Sequence, residues 1–264
     1  MILRPIREAS ILLMDLTMRT CCGIYIIIPG KDVVLMKKLI LIALCVVLMF
    51  LPVLASAEAM PVPVVTAGDI IAFGAYEQDN DLTNGAEAIE WLVLAVDEEN
   101  NRALVISVYA LDNHPYNDSR VDMTWEKCTL RAWLNDEFLN TAFNEEAQAF
   151  IPAVVVKADH NSFYKTETGN DTEDRVFVLS SAEAALYFAN DAARACQPTA
   201  YALARKVYRG GNHNCWWWLR TPGNSTYNFS RVSGDGEINE FGVYQDHDET
   251  GVRPAMWIDL SLMD

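Results

Sequence analysis

From residue 69 onward, apolar and polar positions sort the chain into strands, then helices, then strands. Asp69 to Phe73 reads as a first strand, and Ile89 to Val96 and Ala103 to Tyr109 are apolar runs with β-branched residues, as core strands carry. The last two are joined by the polar turn 97–101. The period then changes. Leu130, Trp133, Leu134 and Phe138 recur at three- and four-residue spacing, which predicts a helix from Thr124 or Thr129 to Asn140. A short helix over Glu145 to Phe150 follows. Ala153 to Lys157 and Arg175 to Leu179 read as strands on either side of a long polar loop, 159–174. Ser180 and Glu183 have capping-box spacing and open a third helix. Pro198-Thr199 opens a fourth, Ala200 to Val207.

The last third is organised by Cys215-Trp216-Trp217-Trp218-Leu219-Arg220-Thr221-Pro222-Gly223. Bulky aromatics suit a pleated, half-buried surface, so Cys215 to Leu219 reads as a strand. Alternation puts Trp217 on one face and Trp216 with Trp218 on the other. Thr221-Pro222-Gly223-Asn224 reads as a type II turn, with Gly223 taking the positive φ. The chain returns through Tyr227 to Val232, turns at Ser233-Gly234-Asp235-Gly236, and pairs again over Glu237 to Tyr244. Val252 to Leu260 is expected to be one last strand, with Val252, Pro254, Met256, Ile258 and Leu260 on its apolar face. This order predicts an α+β domain, an antiparallel β meander with a few short helices.

Ahead of the domain, Met36-Lys37-Lys38 is a basic start, Leu39 to Leu54 an apolar run, and Ala55-Ser56-Ala57 a small-residue cleavage site. Together they read as a secretory signal peptide, 36–57. Residues 1–35 are then an upstream extension without a role in the fold, 58–66 a linker with Pro61 and Pro63, and 67–262 a single domain. The protein is expected outside the cell or on its surface, touching membrane only through the signal segment if that stays uncleaved.

Charge narrows the partners. The chain has 20 basic and 36 acidic residues. Six of the former and three of the latter precede Glu58, leaving 14 against 33, a net −19. That argues against nucleic acid and anionic membrane, which need clustered Lys and Arg. Three cysteines follow the signal segment: Cys128, Cys196 and Cys215. An oxidising compartment favours pairing, and Cys196–Cys215 is the expected disulfide; Cys128, in a helical apolar context, reads as a small buried hydrophobe.

Candidate chemistry concentrates in the C-terminal meander. Trp217, Arg220, Asn224, Tyr227, Asn228, Tyr244 and Arg253 form a candidate ligand set, because aromatic faces with a few placed polar groups are what small-ligand sites use. The competing reading makes the tryptophans a core wall and gives each arginine an interior Asp or Glu partner. Two acidic stretches are fragments of a calcium loop. Asp79, Asp81 and Thr83 have the alternate spacing, with Glu90 at the twelfth position; Asp246, Asp248 and Thr250 repeat the start, but Trp257 stands twelfth. Ordinary solvated turns explain both, so no cofactor is expected, and calcium is the candidate if there is one. His114, His160, His213 and His247 show no metal spacing. No G-x-S-x-G, H-E-x-x-H, P-loop or dinucleotide fingerprint occurs.

Five motifs in order carry a resemblance: Glu90-Trp91-Leu92-Val93-Leu94, Thr129-Leu130-Arg131-Ala132-Trp133-Leu134-Asn135, Val176-Phe177-Val178-Leu179-Ser180, the tryptophan run through Gly223, and Gly251-Val252-Arg253-Pro254-Ala255. With them the chain resembles a bacterial family of secreted domains of unknown function, from about Gly68 to Leu260. That family is similar to the C-type-lectin-like fold, shared with formylglycine-generating enzymes and phage tropism-determinant proteins. The resemblance implies that the C-terminal strands and adjoining loops form the ligand surface. Gln197-Pro198-Thr199 departs from the calcium-lectin loop, and Cys196 and Cys215 flank a helix unlike a copper-holding pair, so neither activity carries over. What remains is a binding module for a glycan or protein, without enzymatic activity. The alternatives are an enzyme using a polar cleft beside Arg220 or Arg253, and a purely structural domain.

Overall fold

The computed structural model describes residues 65–263. The signal segment and most of the linker lie outside the described residues. The fold is mixed and mostly antiparallel, an α+β arrangement of two five-stranded sheets, a two-stranded ribbon and short helices.

The first sheet grows from the apolar runs at the start. β1 (Ile70–Tyr76), β2 (Glu87–Asp97) and β3 (Arg102–Ser107) form consecutive antiparallel pairs. β12 (Ala255–Asp259) adds to β3, and β7 (Val176–Phe177) adds to β12, giving the order β1-β2-β3-β12-β7. Trp91, Val93, Ala103, Val105, Ile106, Met256 and Ile258 are all at most 1% exposed, which is why these strands read as near-continuous apolar sequence. The Trp91 indole N–H donates to the Phe73 carbonyl at 2.7 Å, so burying the ring strands no polar group.

The second sheet has the order β10 (Ile238–Tyr244), β9 (Asn228–Val232), β8 (Trp217–Pro222), β11 (Gly251–Val252) and β4 (Asp112–Asn113). β8, β9 and β10 form the expected meander, whereas β11 runs parallel to β8. The expected single strand 252–260 is therefore two strands in different sheets. The break falls at Arg253-Pro254. Proline has no ladder donor, and here it marks the crossing between layers. β5 (Val154–Val156) and β6 (Thr172–Asp174) pair separately.

The helical middle starts later and is less regular than the pattern predicts. A 3-10 turn over Trp125–Lys127 precedes α1 (Thr129–Trp133), which runs through a π turn (Leu134–Phe138) into α2 (Leu139–Ala142). Leu130, Leu134 and Phe138 are fully buried, so the apolar stripe survives the change of pitch. The Cys128 sulfur accepts the Arg131 N–H at the start of α1. α3 (Glu145–Gln148) is capped by Asn144. α4 (Ser181–Tyr187) opens with the Ser180–Glu183 capping box, both hydrogen bonds present. α5 (Asp191–Arg194) and α6 (Ala200–Ala204) are single turns, the latter capped by Thr199.

One turn differs from its expectation. Pro222 lies in β8, and the chain reverses over residues 224–227. Gly223 is not in the positive-φ region that a type II turn needs. Glycine is required there by proximity: a Cβ would sit 2.5 Å from the Phe241 carbonyl oxygen.

Candidate functional site

β8 decides the fate of the tryptophan run. All six of its residues are buried, so both faces of the strand point inward. Trp217 is 0% exposed, and its indole N–H donates to the Arg194 carbonyl. Trp218 is equally buried and donates to the His114 carbonyl. The partly exposed member is Trp216, just before the strand. Arg231 lies over its ring at 3.8 Å, and Tyr208 stacks on it at 4.2 Å. Alternation separated Trp217 from its neighbours, but only the layer above decided which ring reaches the surface.

The two arginines of the candidate set are also interior. Arg220 is 3% exposed and ion-paired to Glu183 and Asp159, and it donates to the carbonyls of Lys157 and Val178. Arg253 is 3% exposed and pairs with no acid among the described residues. Its Nε donates to the Ser107 carbonyl and Nη1 to the Arg194 carbonyl, and its guanidinium lies over Trp217 and Phe188. Trp217, Arg220 and Arg253 thus support the sheet from within and offer a ligand no surface. Asn228, 7% exposed, is tied by its amide to Asn224.

The rest of the set is outside. Tyr227 and Tyr244 are 40% and 46% exposed and stack on each other, with Arg120 over Tyr244 at 3.5 Å. Asn224 is half-buried on the rim of a groove of about 570 Å³. The groove runs between the loop Phe163–Glu167 and the turn Asn224–Thr226. Phe163 is exposed, and Tyr164 meets the exposed Phe241 edge-on at 6.2 Å. The Ser225 hydroxyl lining the groove is buried with no hydrogen-bond partner. The loop is pinned: Asn161 donates to the carbonyls of Pro222 and Glu240, and Thr166 donates to that of Gly223. Pattern reading missed Phe163 and Tyr164, because an aromatic in a polar loop carries no period, and passed over Phe241 inside an expected strand. For Phe163 and Tyr164 the available signal was composition, aromatics where solvated polar residues are the rule.

A smaller depression of about 260 Å³ lies on the other side of that loop, lined by His160, Ser162, Ser181 and Glu240 among others. Ser162 donates to Glu240, and no hydrogen bond joins Ser181 to His160 among the described residues. Elsewhere the Tyr76 hydroxyl donates to Asp112 at 2.6 Å, with Arg205 on the other carboxylate oxygen at 2.5 Å. Burial raises the Asp112 carboxyl above its ordinary range, and the Tyr76, Asn113 and Arg205 contacts only partly offset it.

The acidic loops are built differently from calcium loops. Asp79 accepts from the Asp81 N–H and the Asn84 amide, and Asp81 from Thr83, so their oxygens close local turns. Asp246 pairs with Arg120, and the Thr250 hydroxyl meets His247. The acids that converge are Glu77, Asp79 and Glu87, with oxygens within 4.8 Å of one another; they could hold a cation, and Glu90 is not among them. Burial, and then the neighbouring Glu87 and Asp79, raise the Glu77 carboxyl, which a backbone N–H partly offsets.

The expected Cys196–Cys215 disulfide is absent: all three cysteines among the described residues are free and buried. Cys196 and Cys215 nonetheless face each other across an isolated antiparallel bridge.

A sequence-family comparison places these features. The chain belongs to a family described as a domain of unknown function (DUF6273), which matches residues 100–260. That span runs from the turn before β3 to the end of β12; β1 and β2 lie ahead of it and complete the first sheet. No curated protein matches the chain. No solved structure matches it either.

Proposed function

We propose that this protein is an extracytoplasmic binding module of the C-type-lectin-like kind, which takes a glycan in the groove between residues 163–167 and 224–226. The observation that carries the reading is the groove itself. It combines the exposed Phe163 and the half-buried Tyr164, on a loop fixed by three hydrogen bonds, with an amide (Asn224) and a buried hydroxyl that lacks a partner (Ser225) on the facing turn; the exposed Phe241 meets Tyr164 beside it. Apolar rings with a few polar groups fixing orientation are how small-ligand sites are built. Tyr227 and Tyr244 extend the aromatic surface along the same hairpin. The signal-like segment 36–57 supports export, and the acidic charge supports an uncharged or basic ligand over an anionic one. The module acts by binding, without catalysis.

The test is a glycan-array and peptidoglycan-fragment screen with the purified protein, in calcium and in chelator. Binding that is lost on Tyr164→Ala or Phe241→Ala, with thermal stability unchanged, supports the groove. Binding that survives both substitutions moves the site elsewhere. Capture of protein but no glycan would replace the ligand class. Dependence on calcium would bring the Glu77, Asp79 and Glu87 cluster into the site.

A further inference from the structure

Arg253 is buried without an acid beside it among the described residues. Its donors reach the Ser107 and Arg194 carbonyls, and aromatic rings cover it. A buried guanidinium calls for a counter-charge. The same two stretches of backbone frame the cysteine pair. Ser107 precedes Val108, whose carbonyl lies 3.5 Å from the Cys196 sulfur, and Arg194 is two residues before Cys196. Cys215 donates its backbone N–H to the Cys196 carbonyl at 2.8 Å across the bridge. Residues paired this way have Cα atoms about 5.5 Å apart, inside the roughly 4.4–6.8 Å that a disulfide spans. Both thiols are free and buried at this bridge, and the Cys196 thiol donates to the Val108 and Gln197 carbonyls.

We propose that Cys196 and Cys215 form a redox-active dithiol, in which Cys196 is the attacking thiolate, with Arg253 as its counter-ion, and Cys215 is the resolving thiol. Electrostatics agree with this order. Burial alone raises Cys196, but the neighbouring Cys215 thiol and the Arg253 charge outweigh it and hold the thiol below its ordinary value. Cys215 is driven up by its bond to Cys196 and by burial. Burial pushes Cys128 up to about 12, and the Arg131 N–H, Tyr116 and the Arg131 charge only partly offset it. Three free thiols thus differ in the property that sets reactivity.

The step is thiol–disulfide exchange with a small disulfide oxidant. The Cys196 thiolate attacks one oxidant sulfur; the oxidant S–S bond breaks, a mixed disulfide forms and one oxidant thiolate leaves. Cys215 gives up its proton and attacks the Cys196 sulfur; the Cys196–Cys215 bond forms and the second thiolate leaves. Two protein thiols are oxidised, and one oxidant disulfide is reduced to two thiols. Both sulfurs are buried, so exchange requires the segment 197–214 to open. That segment holds the single-turn α6, and non-glycine residues at positive φ, Lys206 and His213.

The experiment is a time course of the purified protein in glutathione buffers of graded oxidised fraction, quenched in acid, alkylated and mapped by mass spectrometry. The expected product is a Cys196–Cys215 cross-link that dithiothreitol reverses, with Cys128 alkylated throughout. In Cys215→Ser, the expected product is a glutathione adduct trapped on Cys196. A link to Cys128, or an unmodified Cys196 at the most oxidising poise, overturns the proposal. So does an adduct on Cys215 in Cys196→Ser that forms as fast as the Cys196 adduct. The role of Arg253 is read from the pH dependence of Cys196 alkylation. A midpoint moved to higher pH, at about tenfold lower proton concentration, in Arg253→Gln supports the counter-ion. If that variant does not fold, thiolate absorbance in the unsubstituted protein decides: no thiolate forming below pH 9 overturns it.

Discussion

The two sheets use the same architecture and bury very different chemistry. In the first, the strand interiors are Trp, Val, Leu and Ile, and the polar handle of Trp91 is satisfied by a carbonyl. In the second, β8 and β9 bury Arg220, Thr221, Asn228 and Ser230, and Asn228, Ser230, Arg231 and Gln245 each leave a buried polar atom without a partner. Unsatisfied buried polar groups are costly and few in most folds. Their concentration in the second sheet makes its interior the more polar and the more strained of the two.

That contrast can be broken by substitution. The largest effect belongs to the scaffold: Trp91→Ala should cost about 3–5 kcal/mol in denaturant unfolding, because a fully buried ring leaves a cavity. Arg220→Ala in the second sheet should cost about 3 kcal/mol by a different route, because Glu183 and Asp159 lose their counter-charge. Adding Glu183→Gln should recover part of that loss; a cavity mechanism would predict no recovery. Ser180→Ala should cost about 1 kcal/mol through the lost cap, measurable as a shift in unfolding midpoint.

A pH prediction sharpens the contrast further. Burial, and then the Arg231 charge, hold His247 below its ordinary value. Unfolded chains therefore bind its proton more readily than folded ones. The stabilising contribution is complete above about pH 6.5 and is lost as pH falls through the lower folded value. His247→Gln should flatten that limb of the stability–pH curve; an unchanged limb assigns it elsewhere. The smallest stability effects are expected at the groove, where Tyr164→Ala and Phe241→Ala should stay within about 0.5 kcal/mol of the unsubstituted protein while binding falls.

Periodicity carried much of this fold. Leu130, Leu134 and Phe138 marked the buried helical stripe, and Ser180 with Glu183 marked a helix start to the residue. It failed where two layers compete for one segment. Val252 to Leu260 alternates as a single strand, yet Arg253-Pro254 divides it between sheets, a choice made by the partners β8 and β3. Gly223 was read for its φ and is needed for its missing Cβ, since the close strand is the β10 residue Phe241.

The sequence by itself determined the α+β order, the strong acidity and the family, because composition and period are local properties. Only the tertiary structure decided which aromatic rings face solvent, which arginine has an acid, and which thiols meet. Arg220 lies two positions before Pro222 and Arg253 one before Pro254, and Cys196 lies nineteen positions before Cys215. What separates their roles is the set of neighbours brought by distant strands, and burial and electrostatic pairing depend on that set alone.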